Sequence, residues 1–266
     1  MATIKYIIIF VLLLTNSFSL QETEQISQCG NGRATYYTPN ELGSCGFGDI
    51  TGIIDTAAAD AELYDGSNAC GICYEVIGEK GSKIVMIADL CPGCETLKNS
   101  GVIHLDLDER VFPYIDDMEK GRINTSIRMV PCQISGNVKL HITETNDYYF
   151  NAYASNYRIG LKSLEININN QGFKAVERVS HNRFIQKGIS NLSTIKVKLI
   201  SIAGQEILCY MGKNIIEGEY DCGAQFSANT FFDIFSRKII NENKKSECCV
   251  KPSLISKISK CNIESN

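Results

Sequence analysis

The 266-residue chain is long enough for two modest domains, each with its own core, and its formal net charge of −4 offers no basic surface to nucleic-acid phosphates. Its three histidines are scattered and form no metal-binding run.

The chain opens on a targeting segment. Lys5 supplies a positive start, Tyr6 to Leu14 is an apolar run, and Ser17-Phe18-Ser19 is a small-x-small cleavage site. Together they predict a signal peptide over residues 1–20 and export to the extracellular space. The apolar run falls short of the roughly 20 residues that span a bilayer. The segment from Ile255 to Asn266 is polar, so neither a membrane anchor nor a lipid-anchor signal is expected. Export places the twelve cysteines in an oxidising compartment, where an even, high count reads as disulfides. Asn124-Thr125-Ser126 and Asn191-Leu192-Ser193 are N-glycosylation sequons, in keeping with secretion.

Residues 21–134 are rich in Cys and Gly and read as a first domain. Lys83 to Ala88 is a short apolar run suited to a buried strand, ending at Asp89 and the turn-rich Cys91-Pro92-Gly93-Cys94. Val102 to Leu107 alternates around His104 and Asp106. Carboxylates at the ends of buried strands are candidate site residues. Cys70-x-x-Cys73 and Cys91-x-x-Cys94 also have the spacing of a four-thiolate zinc ribbon. The oxidising compartment favours disulfides over thiolates, so no metal and no cofactor are expected.

Residues 135–210 show period-2 alternation. Val138, Leu140 and Ile142 alternate with Lys139, His141 and Thr143; Leu164, Ile166 and Ile168 alternate with Glu165, Asn167 and Asn169; Ile195, Val197 and Leu199 alternate with Lys196 and Lys198. Each pattern buries one face of a strand, and Asn169-Asn170-Gln171-Gly172 reads as a hairpin turn. A small antiparallel sandwich is predicted. Residues 211–266 carry four more cysteines and a Lys/Asn-rich segment to which no role is assigned.

Six motifs now stand in order: Gly32-Arg33-Ala34-Thr35-Tyr36-Tyr37, Gly43-Ser44-Cys45-Gly46-Phe47-Gly48, Cys70-Gly71-Ile72-Cys73-Tyr74-Glu75-Val76, Ile87-Ala88-Asp89-Leu90-Cys91-Pro92, His104-Leu105-Asp106-Leu107 and Arg128-Met129-Val130-Pro131-Cys132. In this order the chain resembles the expansins. The resemblance implies an all-β protein. A six-stranded double-psi β-barrel, similar to family 45 endoglucanases, would occupy residues 21–134. An immunoglobulin-like β-sandwich that binds polysaccharide would occupy residues 135–210. By position it implies disulfides Cys45–Cys70 and Cys73–Cys132 and suggests Cys91–Cys94. Residues 211–266 lie outside the resemblance.

Inverting glycoside hydrolysis needs an acid and a base on opposite sides of the bond. Asp106 matches the acid of the related endoglucanases, whose base follows a Thr-x-Tyr motif. Here Thr35-Tyr36-Tyr37 is followed by Thr38 and Pro39, and the next carboxylate, Glu41, lies past the proline. The hydrolytic pair is broken, which implies loosening of a wall or matrix without bond cleavage. The resemblance puts Asp89 in the same groove, where two close carboxylates would raise one another's pKa and keep one protonated at mildly acidic pH. Asp89 could instead cap the turn that follows it. Thr35 and Tyr36 match groove positions, and their hydroxyls could serve either sugar or barrel backbone.

In the second domain the family's stacking row corresponds to Tyr148, Tyr149 and His181. The chain contains no Trp, which implies weaker stacking and a softer substrate than crystalline cellulose. Strand neighbours point to opposite faces, so one of Tyr148 and Tyr149 is expected in the core. The leading expectation is a secreted protein that binds cellulose or a related β-glucan and loosens wall or matrix non-hydrolytically. An inverting endoglucanase and a matrix protein that binds without loosening are the alternatives. Metal analysis of the purified protein should find no stoichiometric zinc; zinc whose chelation unfolds the chain would reverse the disulfide reading.

Overall fold

The computed structural model describes residues 29–39, 43–50, 52–94, 102–190, 193–211, 215–229 and 231. The signal segment, Glu41, Asn191, the Cys29 side chain and Cys248, Cys249 and Cys261 lie outside the described residues.

Six strands make the first unit: β1 (Cys29–Tyr37), β2 (Thr56–Ala59), β3 (Cys73–Ile77), β4 (Ser82–Leu90), β5 (Val102–Asp108) and β6 (Ile123–Val130). They close into a barrel in the order β1-β5-β2-β4-β3-β6. The β1–β5 and β2–β4 pairs are parallel and the other four antiparallel. Closure leaves no strand edge unpaired. Ala34, Val76, Val85, Ile87, Leu105, Leu107 and Ile127 fill the interior, with Phe112 and Ile115 closing one side. Gly32 is required because a Cβ there would lie 2.3 Å from Ile127 Cδ1. A short helix, α1 (Ala61–Tyr64), is capped by Asp60, whose Oδ1 accepts from the Glu62 and Leu63 amides.

The second unit is a sandwich of β7 (Lys139–Asn146), β8 (Tyr149–Ser155), β9 (Leu161–Ile168), β10 (Phe173–Val179), β11 (Arg183–Lys187), β12 (Ile195–Ser201), β13 (Glu206–Tyr210) and β14 (Gly218–Asp221). Their order is β13-β12-β9-β10-β11-β8-β7-β14. Strand β10 serves both layers. Phe173–Val176 pairs with β9, and Glu177–Val179 pairs with β11. Leu140, Phe150, Leu164, Val176, Phe184, Val197 and Leu199 interdigitate between the layers. The sheet continues past residue 210, where the sequence pattern ends, because β14 adds to β7, and Phe226 and Phe231 complete the core.

The disulfides are Cys45–Cys70, Cys73–Cys132, Cys91–Cys94 and Cys209–Cys222. The four cysteines with zinc-ribbon spacing are thus distributed over three disulfides. Closing the 59-residue separation of Cys73 and Cys132 stabilises the fold by about 4 kcal/mol on a chain-entropy model. Cys209–Cys222 ties the two outermost strands of the sandwich together.

The two units dock through polar contacts, of which the Tyr157 bond is buried. The Tyr157 hydroxyl donates to the Cys70 carbonyl at 2.8 Å. The Arg178 guanidinium donates to the carbonyls of Ser67, Asn68 and Leu161 at 3.1, 3.3 and 2.6 Å, and lies over the Phe184 ring. Ser67 Oγ returns a bond to the Val179 carbonyl at 3.1 Å. Gly71 sits at φ +75°, and a Cβ there would lie 2.3 Å from the Tyr157 hydroxyl oxygen. Gly71→Ala should therefore destabilise the protein by about 3 kcal/mol through backbone strain and overpacking. Thermal unfolding measures this; an unchanged melting temperature would mean the junction is not set by that close approach.

Candidate functional site

The barrel site follows from strand register. Parallel pairing of β1 with β5 sets Thr35 beside Asp106. The Thr35 hydroxyl donates to Asp106 Oδ1 at 2.5 Å and lies 3.3 Å from Nε2 of the buried His104. His104 is held in turn by its amide, which donates to Asp60 Oδ2 at 2.9 Å. Burial pushes the Asp106 carboxyl above its ordinary range, while the Thr35 bond and the neighbouring His104 pull it part of the way back. Asp106 Oδ2 lies 3.9 Å from Cys91 Sγ, which carries no proton because it is bonded to Cys94. Cys91, Cys94 and Asp106 converge within 4.8 Å, yet an oxidised pair supplies no thiolate for a metal.

Asp89 ends β4. Its Oδ1 accepts from the Ser44 amide at 2.6 Å and from the Leu90 amide at 2.8 Å. Asp89 and Asp106 are both register partners of Ala58 on β2. They therefore stand two strand spacings apart, roughly 10 Å between backbones. The sequence reading expects the two carboxylates to lift each other; here burial is the principal cause of the rise at Asp106.

Alternation along β1 sorts the remaining groups. Thr35 and Tyr37 share one side, and Tyr36 takes the other, with its ring 4.8 Å from Phe112 and packed on the barrel core. Tyr36 is thus core-packed rather than set beside Asp106 with Thr35. Tyr37, which the motif reading passes over, is the tyrosine that meets the carboxylates. Burial first, then Asp89, Asp106 and Asp108, raise its hydroxyl well above the usual range, so it remains a proton donor. At Asp108 burial alone would raise the carboxyl, but hydrogen bonds from Arg110 side chain and backbone hold it below the ordinary range. Tyr37, Asp89 and Arg110 line an open groove with Phe47 and Ala88, with an empty volume of about 450 Å³.

The outer face of β7, β8 and β11 carries the second set. Tyr148 is 71% exposed in the β7–β8 turn, and Tyr149 starts β8 half-buried. Neither tyrosine is in the core, because Phe150 takes that position. Two residues on each side of Asn151, Tyr149 and Tyr153 share the outer face. Tyr153 is clasped between the His141 ring, 4.3 Å away and 6° from parallel, and the Arg183 guanidinium at 4.1 Å. Burial lowers the His141 pKa, with Glu219 opposing and Arg183 and Lys139 reinforcing. His141, Tyr153 and Arg183 were legible only as alternating residues in the sequence; their cross-strand register makes them a cluster.

His181 lies in the β10–β11 turn at φ +59°, and its Nδ1 donates to the Ser44 carbonyl at 3.2 Å. The Tyr64 hydroxyl donates to the same carbonyl at 2.9 Å. Ser44 is therefore held by Asp89 on its amide and by His181 on its carbonyl, which joins the barrel groove to the edge of the sandwich face. Asn124 is exposed on β6.

The family model of the expansin N-terminal domain matches residues 1–127. Expansin-like protein 2 of Dictyostelium discoideum is 29% identical over 224 residues, covering 80% of this chain and 54% of that protein. Expansin-like protein 1 of the same organism is 26% identical over 240 residues, covering 85% of this chain and 83% of the relative. The crystal structure of apo Clavibacter michiganensis expansin superposes with a TM-score of 0.66 at 24% identity, over 75% of this chain and 98% of that one. A mutant of that expansin, in complex with cellohexaose, superposes with a TM-score of 0.65 at 22% identity. These likenesses share the barrel-then-sandwich architecture. With the ordered barrel motifs and the closed six-stranded barrel, they make the chain similar to the expansins in its N-terminal domain and in overall fold.

Proposed function

We propose that the protein is secreted, binds cellulose or a related β-glucan, and loosens a cell wall or extracellular matrix without hydrolysis. The observation that carries this reading is Asp106: a half-buried carboxyl, gripped by Thr35, with Thr38 where the related endoglucanases carry a base. An inverting hydrolase needs a second carboxylate free to activate water. Asp89 is the neighbouring candidate, and its Oδ1 is committed to two backbone amides. A raised Asp106 carboxyl keeps its proton to higher pH than an ordinary aspartate, and that proton is the proposed donor to a glucan oxygen. Tyr37 supplies a second donor beside it.

The cellohexaose bound by the Clavibacter expansin supports a glucan as the ligand. Tyr148, Tyr149 and His181 form the proposed sugar-contacting row on the sandwich, and Thr35 completes the barrel end. The signal segment and the disulfides support secretion. Disruption of non-covalent contacts between chains needs grip at two places on one polymer, and the Asp89-Ser44-His181 connection holds the two grips in fixed relation.

Asp106→Asn should abolish creep of cellulosic walls while leaving polymer binding and fold intact. Neither form should release reducing sugar; release by the native protein that the mutant lacks would instead support the endoglucanase reading. The stability effect has a sign. Because the folded-state pKa of Asp106 is raised, its contribution is fully present below the unfolded value and is lost as pH rises through the folded value. Asp106→Asn should therefore melt higher than the native protein at neutral pH and show a flatter pH dependence.

Tyr149→Ala should weaken binding to insoluble glucan about tenfold, the effect of losing one stacked ring face. Depletion assays measure it. Unchanged binding would move the sugar-contacting row elsewhere on the sandwich.

A further inference from the structure

At the end of the sandwich beside the β7–β8 turn, where the Ile189 amide donates to the Tyr148 carbonyl at 3.3 Å, the core-facing pattern of β10 and β11 gives way to polar residues. Val176 on β10 and Phe184 on β11 are buried between the layers. Lys174 lies two residues before Val176 and Gln186 two residues after Phe184, so both share the core-facing side. Register agrees: Lys174 pairs with Ile166 and Gln186 pairs with Phe150, both buried. Lys174 is exposed and Gln186 half-buried, so polar groups rather than core side chains line this end of the sheet.

Between them the layers leave a cleft with an empty volume of about 610 Å³, larger than the barrel groove. Ile166, Ile168 and Ile189 give it an apolar floor, and Gln171 and Gln186 give it amide walls. Lys174 is the single charged residue among the described residues that line it. One wall is built before any ligand arrives. Asn169 Oδ1 accepts from Ser193 N at 3.2 Å, Ser193 Oγ at 2.7 Å and Thr194 N at 3.0 Å. The Gly172 amide is fixed on Asn167 Oδ1 at 3.1 Å. Gln186 Nε2 donates to the Lys187 carbonyl at 2.6 Å, which leaves Oε1 to accept a hydroxyl proton.

An apolar floor with amide walls suits a sugar ring, whose C–H face is apolar and whose rim carries hydroxyls. The exposed Lys174 ammonium at the rim, with no acidic residue among the described residues that line the cleft, favours an anionic sugar over a neutral one. We infer that this cleft binds a carboxylate-bearing saccharide, a uronate, with Lys174 taking the carboxylate, Gln171 and Gln186 the hydroxyls, and Ile189 the ring face. The protein then holds an acidic matrix polysaccharide at the sandwich end, next to the row proposed to contact neutral glucan.

Calorimetric titration of the full chain with oligogalacturonate, and with a neutral cello-oligosaccharide of equal length, tests the assignment. Lys174→Gln should weaken oligogalacturonate binding about tenfold, the loss of one charge-assisted contact, and remove most of its salt dependence. Gln186→Leu should weaken it further without lowering the melting temperature. Saturating neutral oligosaccharide should displace little of the bound oligogalacturonate, which separates the carboxylate requirement from general sugar binding. Absence of oligogalacturonate binding by the native chain would overturn the inference. So would an unchanged affinity in Lys174→Gln, or equal competition by the neutral oligosaccharide.

Discussion

Everything proposed for the barrel rests on one pairing, the parallel register of β1 on β5. It sets Thr35 against Asp106 and Tyr37 against Asp108. Strand side chains alternate, so a slip of one residue would turn Asp106 into the barrel and bring Leu105 or Leu107 to the groove. The register is over-determined. Ala34, Leu105 and Leu107 are fully buried on the opposite side, and Gly32 leaves room for Ile127 where no side chain fits. Apolar burial on one side of these strands thereby places the polar set on the other.

The polar set is costly to keep. A half-buried carboxyl loses hydration, and its environment replaces only part of that loss through the Thr35 hydroxyl and His104. Asp108, one pleat further on, is offset differently, because Arg110 supplies both charge and a forked set of donors. Two carboxylates on one strand thus diverge in proton affinity through their neighbours alone. The one that stays protonated more readily is Asp106, next to Thr35.

The second dependence is the domain junction. Arg178, Tyr157 and Ser67 make hydrogen bonds across the junction of the two cores, and Ile72 meets Gly160 across the same boundary. This docking brings the His181 turn onto Ser44, whose amide already holds Asp89. The groove and the sandwich are therefore mechanically continuous through a single backbone unit. A rigid span between these two surfaces suits the proposed action on polymer contacts rather than on a covalent bond.

The strands were legible because their alternation is local: Leu140 with Ile142, and Ile195 with Val197 and Leu199, declare their buried faces within a few residues. The export signal and the even cysteine count told the same story about compartment, and the ordered barrel motifs led to Asp106 and Asp89. What the sequence could not order was lateral position. Asp89 and Asp106 looked like a coupled pair, but β2 runs between their strands and separates them. Tyr36 and Tyr37 were indistinguishable until the barrel chose which side faced the groove, and Tyr153 became a clasped ring only once His141 and Arg183 arrived from other strands. Strand β14 is too short to announce itself and exists through β7. Local pattern determined which residues alternate and where chemistry is available; strand order and register, which depend on contacts between residues far apart in the chain, decided which of them meet.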